Sequence, residues 1–193
     1  MLAAANGDYP VYYPKEGWAE QNPEEWWSAV CGAVRQVIEE ASVAPEEIAG
    51  VGIDGQSWSA IAIDRNGHVL TNTPIWMDTR AQSICDRLNE EIGAEAIFEV
   101  AGNSLQPSYA TAKILWYKEN LPEVYAKIDK ILQSNSFIAF KLTGAVSQDL
   151  SQGYGLHCFD MRTGKWNEAM CEKLGIPVEF LPEIVPCDHV VGQ

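Results

Sequence analysis

A β-hairpin signal in the first half of the chain limits the folds open to this sequence. Arg65, Asn66, Gly67 and His68 separate two short apolar segments, and an Asn-Gly pair favours the positive φ angles of a tight hairpin turn. Around this hairpin, strand-like and helix-like segments alternate, which is typical of an α/β fold. Because a hairpin joins antiparallel strands, we expect a mixed sheet and not a purely parallel one.

The longest predicted helix runs from Pro23 to about Ala41. Asn22 is an N-cap candidate, and proline suits the first helical position because its missing N–H would have no partner there. Apolar residues recur along this segment at spacings of three and four, so one helix face should be buried. The segment therefore combines a start signal with an amphipathic face.

The remaining predicted elements are shorter, and the second half of the chain is the more helical one. Strands are predicted within Leu2–Tyr13, Val51–Gln56, Ala60–Asp64 and Ile128–Leu132, and helices at Ala81–Glu91, Ala94–Val100, Thr111–Glu119, Ser136–Leu142 and Asn167–Leu174. Asp149–Gly153 is predicted to be a polar loop.

Charge and composition restrict the partners. The chain has 27 acidic and 13 basic residues and a net charge of −14. Nucleic acids and anionic membranes are bound by clustered basic residues, so we expect neither as a partner. No apolar stretch approaches the roughly 20 residues that span a bilayer, and the five scattered cysteines are typical of free thiols in a reducing cytoplasm. The three histidines fit no metal-ligand spacing, so no metal site is predicted.

A loop after the Val51–Gln56 segment combines an amide, a hydroxyl and an indole, on Gln56, Ser57 and Trp58. A polyol site needs neutral donors and acceptors together with an aromatic ring for the C–H face of the sugar. The alternative is a structural turn with Trp58 in the core. The residues alone leave both interpretations open.

Two other polar positions are candidates of the same kind. Asp78 and Arg80 lie at a strand-to-helix junction, where they form either part of a site or a helix cap with an ion pair. Tyr109 precedes a helix, where its hydroxyl either faces a cleft or is buried with one hydrogen-bond partner.

Five motifs in register resemble those of the FGGY family of carbohydrate kinases, and of xylulokinases in particular. Each motif is weak alone, but their order and spacing hold over nearly the whole chain. They are Gly17–Trp27, Gly52–Gln56, Trp76–Arg80, Pro107–Lys113 with the following Ile114–Trp116, and Leu142–Gly144 with Asp149–Ser151.

The resemblance implies a ribonuclease-H-like, actin-like ATPase fold with a mixed sheet and a helical insertion. In this family two such domains flank a cleft, with the sugar bound mainly by the first domain and ATP by the second. The resemblance places Gln56, Ser57 and Trp58 at the sugar, Tyr109 near the same pocket, and Asp78 and Arg80 in its wall. It implies ATP and Mg²⁺ as cofactors of the complete enzyme and a ketopentose such as D-xylulose, or a related polyol, as substrate.

The chain also departs from the family pattern. Xylulokinases usually have Met-His-Gly after the glutamine of the sugar loop, and glycerol kinases have Arg-Glu, whereas this chain has Ser57, Trp58 and Ser59. The family's Asp-x-Gly-Thr hairpin and its catalytic Asp, in a Gly-x-Asp motif, have no counterpart in the 193 residues. We therefore expect a partial domain, residues 1–193, incomplete at its N-terminal hairpin and without the ATP-binding domain.

These departures lead to three expectations for the chain by itself. It contains no catalytic residue of its own and binds sugar at most, without ATP or Mg²⁺. It is alternatively a non-catalytic sugar-binding or regulatory module. As a third alternative, loss of a central strand leaves an open sheet edge, through which the chain forms a homo-oligomer or completes its site with another chain.

Overall fold

The computed structural model describes residues 1–192 and shows an α/β arrangement of short strands and helices. The strands are β1 (Glu20–Gln21), β2 (Ile61–Ile63), β3 (Thr73–Pro74), β4 (Lys130–Leu132), β5 (Ser147–Asp149), β6 (Phe159–Asp160), β7 (Lys165–Trp166) and β8 (Glu183–Val185). The α-helices are α1 (Pro23–Ala41), α2 (Gln82–Leu88), α3 (Ala94–Ala101), α4 (Ala110–Asn120), α5 (Pro122–Tyr125), α6 (Ser134–Thr143), α7 (Leu150–Gly153) and α8 (Glu168–Leu174). Short 3₁₀ turns lie at Pro45–Glu47 and Val178–Phe180.

Helix α1 confirms the predicted start and length. The Asn22 side chain accepts a hydrogen bond from the Glu24 N–H at 3.0 Å, and Pro23 is the first helical residue. Two glutamates in the first turn stabilise the positive end of the helix dipole. The helix ends at Ser42, whose φ of 52° is left-handed.

The strands pair two by two within the described residues, so the single mixed sheet that we expected is seen only as four two-stranded pieces. The pairs β1–β3, β2–β4 and β6–β7 are antiparallel, and β5–β8 is parallel. The predicted hairpin is confirmed, because Ile63 bridges Val69 in antiparallel register and Gly67 has a φ of 80°. Asp64 tightens this turn by accepting the N–H groups of Asn66 and His68.

Three local predictions were wrong. Leu2–Tyr13 forms only a single bridge, at Tyr12, and Val51–Gln56 forms no strand. Val51 is 69% exposed, and a strand without a neighbour cannot satisfy its backbone N–H and C=O groups by sheet pairing. Asp149–Gly153, predicted as a loop, instead ends β5 and forms α7, with Asp149 as the N-cap.

Two hydrophobic cores support the molecule. The larger one gathers residues of α2, α3, α4 and α8, and the smaller one lies around β2, β4 and α6. Helix α4 is buried from Ala110 to Tyr117, all around its circumference, as expected for a central helix and not for an amphipathic surface helix. Helices α2 and α3, predicted as separate, are joined by the π-helical segment Asn89–Gly93.

Among residues 1–192 no helix is both long enough and apolar enough to span a membrane.

Candidate functional site

The loop that was predicted to contact a sugar leads into β2 with a strained residue at its centre. Trp58 has a φ of 68°, which is rare for a bulky side chain and costs energy that the surroundings must offset. Two hydrogen bonds hold its backbone: the N–H donates to Oε1 of Gln133 at 3.0 Å, and the carbonyl accepts from Nζ of Lys113 at 2.7 Å. Such a restrained outlier is typical of functional sites.

Trp58 and Tyr109, which are 51 positions apart in the chain, meet face to face. Their ring centroids are 4.4 Å apart with an interplanar angle of 26°. The Tyr154 ring stands edge-on to Trp58 at 6.2 Å, and His157 stands edge-on to Tyr109 at 5.0 Å. The structure thus brings two predicted site residues together in an aromatic cluster, formed by Trp58, Tyr109, Tyr154 and His157.

Gln56 is held beside this cluster by other neutral polar groups. Its Nε2 donates to Oε1 of Gln21 at 2.7 Å, and its carbonyl accepts from Oγ of Ser134 at 2.5 Å. A close approach fixes the loop, because a Cβ at Gly55 would lie 2.5 Å from Ser134 Oγ. Ser57 follows Gln56 and is half-buried.

Asp78 and Arg80 form a buried ionic network with Glu20. The Asp78 carboxylate, on a residue 1% exposed, accepts from the Ala19 N–H at 2.6 Å and from the Arg80 N–H and Nε at 2.9 Å. Arg80 Nη2 is 2.8 Å from Glu20, and its guanidinium lies 3.9 Å from the centre of the Trp18 ring. The ion-pair part of the structural alternative is what the contacts show, and Asp78 tethers β1 to the segment after β3. Asp78 does not cap α2, because the N-cap position is Ala81 and no side chain bonds to it.

Lys113 connects the aromatic cluster to this network. Its fully buried side chain donates to the carbonyls of Trp58 and Ser108, and the charges of Asp78 and Arg80 act on it. Burial lowers the pKa of Lys113 to about 7, with Asp78 opposing and Arg80 reinforcing the shift. The same effect raises the pKa of the Tyr109 hydroxyl, with a further contribution from Tyr154.

His157 is a neutral member of the aromatic cluster. The Thr111 hydroxyl accepts the His157 backbone N–H at 2.8 Å and lies 2.9 Å from the ring Nδ1. Having accepted that N–H, the hydroxyl still has its own hydrogen to donate, which favours Nδ1 as an acceptor and a proton on Nε2. Burial lowers the pKa of His157 to about 4.

Three polar atoms in this region are buried without a hydrogen-bond partner among residues 1–192. They are Nε1 of Trp58, Oγ of Ser59 and Nε2 of His157, although a contact of the His157 ring with the Ser104 backbone opposes the lowering of its pKa. Buried donors and acceptors are normally satisfied, and an orphaned one calls for an explanation such as a bound water or ligand. Because these atoms are buried, a hydroxyl-rich ligand would reach them only after neighbouring side chains move.

Sequence reasoning did not select Lys113, Gln133, Tyr154 or His157. Lys113 lies inside one of the quoted motifs, but lysine is usually exposed, so its burial could not be read from the residue type. Gln133 lies directly before α6 and is 1% exposed. The glycine at position 155 is the matching feature in the sequence: the Gln133 side chain packs against it so closely that a Cβ at Gly155 would lie 2.7 Å from that side chain.

In the part of the chain that the structure describes, no three His, Cys, Asp or Glu side chains are grouped as metal ligands. Mg²⁺ in phosphoryl-transfer enzymes is held by one or two carboxylates together with substrate phosphates. Asp78, the buried carboxylate of the neighbouring ionic network, is already occupied by Ala19 and Arg80. The residues around the aromatic cluster therefore do not fit a metal.

Known proteins with both related sequences and related structures are carbohydrate kinases. The chain is 28% identical to a xylulose kinase of Bacillus subtilis over 193 residues, which is 100% of this chain and 38% of that protein. The gluconate kinase of Lactobacillus acidophilus superposes with a TM-score of 0.88 at 26% identity, covering 96% of this chain and 37% of the other. The Plasmodium falciparum glycerol kinase, solved with ADP, superposes with a TM-score of 0.85 at 26% identity, covering 92% and 37%.

The chain thus spans less than two fifths of the length of each of these three proteins. Their fold confirms the expected actin-like ATPase architecture for the matched part. A family model for the N-terminal domain of the FGGY family of carbohydrate kinases matches residues 1–193. Because this match covers the whole chain, the chain belongs to the FGGY family of carbohydrate kinases, in the part that forms their N-terminal domain.

Proposed function

We propose that residues 1–193 form the sugar-binding domain of a kinase that phosphorylates a ketopentose such as D-xylulose, or a related polyol. The observation that carries this proposal is the meeting of Trp58 and Tyr109 beside Gln56, with the buried Trp58 Nε1 lacking a partner in the described chain. Aromatic faces and neutral hydrogen-bonding groups together suit an uncharged, hydroxyl-rich ligand. Ser57 follows Gln56 in the same loop and would add a hydroxyl.

The charges near the aromatic cluster favour a neutral sugar over a sugar acid. Arg80 is bound by Asp78 and Glu20, and Lys113 by two backbone carbonyls. Because protein groups already bind both cations, neither is positioned to pair with a carboxylate on the ligand. The net charge of −14 adds long-range repulsion for anionic ligands.

Asp78 and Arg80 contribute to this site as support for its wall. They fix β1 and the segment after β3 through the Ala19 and Glu20 contacts, and their charges act on Lys113. In this proposal they do not touch the sugar. Their role is to keep the loop that contains Trp58 in one conformation.

The proposed reaction belongs to the complete enzyme. It transfers the γ-phosphoryl group of ATP to a sugar hydroxyl, and Mg²⁺ supplies charge neutralisation at the phosphates. This chain's residues bind and orient the sugar, whereas the catalytic base and the nucleotide site are assigned to the remaining part of the protein. The chain alone is expected to bind sugar without turning it over.

Ligand-detected NMR and a coupled kinase assay test the proposal on the 193-residue chain. Saturation transfer to D-xylulose or glycerol, competed by the other, together with no ADP production, is the expected result. Stronger binding of gluconate than of either neutral ligand would contradict the neutral-sugar assignment. ADP production would contradict the assignment of catalysis to another part of the protein.

A second candidate function, a module that needs a partner chain, is favoured by the segment 49–57. No residue of this segment makes a backbone–backbone hydrogen bond to another described residue. A cavity of about 830 Å³ lies beside it, lined by Ile48–Val51, Leu142 and the tail at Cys187–Gly192. Unpaired backbone of this kind accepts an added strand, so homo-oligomers are proposed here. Light scattering that gives only monomer at high concentration would contradict this candidate.

A further inference from the structure

Lys113 lies where the two loops of the candidate sugar site meet. It belongs to α4, and its side chain is fully buried. Its Nζ donates to the Trp58 carbonyl at 2.7 Å and to the Ser108 carbonyl at 2.6 Å. Ser108 directly precedes Tyr109, so one amino group binds the backbone next to both stacked rings.

The Trp58 backbone needs such a restraint. With a φ of 68° it is in a region that bulky residues leave unless neighbouring contacts hold them there. Gln133 holds the N–H side of Trp58 and Lys113 holds the carbonyl side. Loss of the Lys113 contact would free the carbonyl side, so that the peptide could relax and shift the indole relative to Tyr109.

We infer that Lys113 is a positioning residue that fixes Trp58 against Tyr109 and thereby forms the aromatic wall of the sugar site. This inference rests on the proposed function for its consequence in sugar binding. The geometric part, one amino group linking two loops, does not depend on that function. Lys113 does not touch the sugar in this account.

Protonation tunes this contact near neutral pH. Burial is the main cause that lowers the pKa of Lys113 to about 7; Asp78 and Cys85 oppose the shift and Arg80 adds to it. A charged amine donates stronger hydrogen bonds to the two carbonyls than a neutral amine does. The loops should therefore be held more tightly below pH 7 than above it.

The first experiment follows the Trp58 indole N–H and the Lys113 Nζ by ¹⁵N NMR between pH 5.5 and 9 in the 193-residue chain. Trp58→Phe identifies the indole signal by its disappearance. We expect both signals to titrate with one midpoint near pH 7, and the indole titration to vanish in Lys113→Met. Lys141→Met is the matched control, because the half-buried Lys141 pairs with Glu24 and makes no contact with Trp58 or Ser108, and it should leave the titration intact.

Two outcomes of this experiment would overturn the inference. One is an indole signal that keeps its chemical shift while the Lys113 Nζ titrates, or that titrates with a midpoint different from that of the Lys113 Nζ. The other is an indole titration that persists in Lys113→Met. If that variant does not fold, the comparison of the two midpoints in the unmodified chain still decides.

The second experiment measures D-xylulose affinity by calorimetry at pH 6 and pH 8.5. At pH 8.5 the hydrogen bonds from Lys113 to the Trp58 and Ser108 carbonyls are no longer charge-assisted, and we expect D-xylulose to bind about fivefold more weakly than at pH 6. Lys113→Met should bind weakly at both pH values, and equal affinity at both pH values in the unmodified chain would contradict the inference. If no sugar binds at any pH, the proposed function fails for this chain, while the NMR titration decides separately on Lys113.

Discussion

The buried network of Asp78, Arg80 and Glu20 makes a strong prediction about stability. Asp78 is 1% exposed, and the Arg80 side chain is 3% exposed. Replacing Asp78 by Ala removes the acceptor of the Ala19 and Arg80 N–H groups and leaves the guanidinium with Glu20 as its remaining carboxylate. Breaking a buried ion pair by removing one partner costs about 3–5 kcal/mol, because the other charge stays buried.

A double-mutant cycle measures this network directly. We expect Asp78→Ala to lower the free energy of unfolding by about 3–5 kcal/mol. Adding Arg80→Met should cost about 1–3 kcal/mol less than the sum of the single changes, since residues in one network are coupled. Urea unfolding followed by tryptophan fluorescence and circular dichroism provides the free energies.

Arg87→Met is the matched control for this cycle. Arg87 pairs with Glu119 at the surface, where both side chains are more than 40% exposed, and such pairs contribute about 1 kcal/mol or less. The reasoning would be refuted if Asp78→Ala cost no more than this control. Strictly additive changes in the cycle would also refute it.

Three further predictions concern pH and backbone contacts. Burial lowers the pKa of Lys113 from 10.5 to about 7, so between these pH values the unfolded chain binds one more proton than the folded chain. The free energy of unfolding should therefore rise by up to about 1.4 kcal/mol per pH unit from pH 7 to 9. Urea titrations measure this slope, which should be lost in Lys113→Met. Above pH 9 the buried Cys85, whose pKa is raised to about 12, acts in the opposite direction. Burial lowers the pKa of His157 from 6.5 to about 4, so the free energy of unfolding should fall as the pH drops from 6.5 towards 4. His157→Asn should reduce this fall, and an unchanged slope in that variant would contradict a buried neutral His157. Gly155→Ala would place a Cβ 2.7 Å from the Gln133 side chain and should lower the free energy of unfolding by about 1–3 kcal/mol. Gly50→Ala, with open space around its Cβ, should lower it clearly less, and thermal unfolding of both variants makes the comparison.

Local signals in the sequence predicted local structure well. The N-cap Asn22 and Pro23 fixed the start of α1, Gly144 and Gly175 end α6 and α8 in left-handed conformations, and Asn66-Gly67 formed the expected hairpin. Each of these features depends on contacts within a few residues. They could therefore be predicted without knowledge of the rest of the fold.

Features that depend on distant partners were harder to predict. Val51–Gln56 is apolar and strand-like, but a strand needs a neighbour, and this segment has none among the described residues. Trp58 and Tyr109 were chosen separately from their motifs, and only the fold shows that their rings stack. The burial of Lys113 was not foreseen because its partners are carbonyls of two other loops.

The structure also sharpened the interpretation of Trp58. From the sequence its ring was expected to pack against the C–H face of a sugar. One face of its ring is instead covered by Tyr109, so the free features are the unpartnered Nε1 and the remaining ring surface. The buried indole N–H is therefore the donor that we expect to bind a sugar oxygen once neighbouring side chains move.

Calorimetric titration of the 193-residue chain with D-xylulose and glycerol tests the central claim most directly. We expect saturable binding of at least one of them, weakened about tenfold or more in Trp58→Phe, which keeps an aromatic ring but loses the indole N–H that is expected to bind a sugar oxygen. Phe98→Ala, which removes an exposed aromatic on α3, should bind like the unmodified chain. Absence of saturable heat into the millimolar range, or equal binding by Trp58→Phe, would contradict the claim that this loop forms the sugar site.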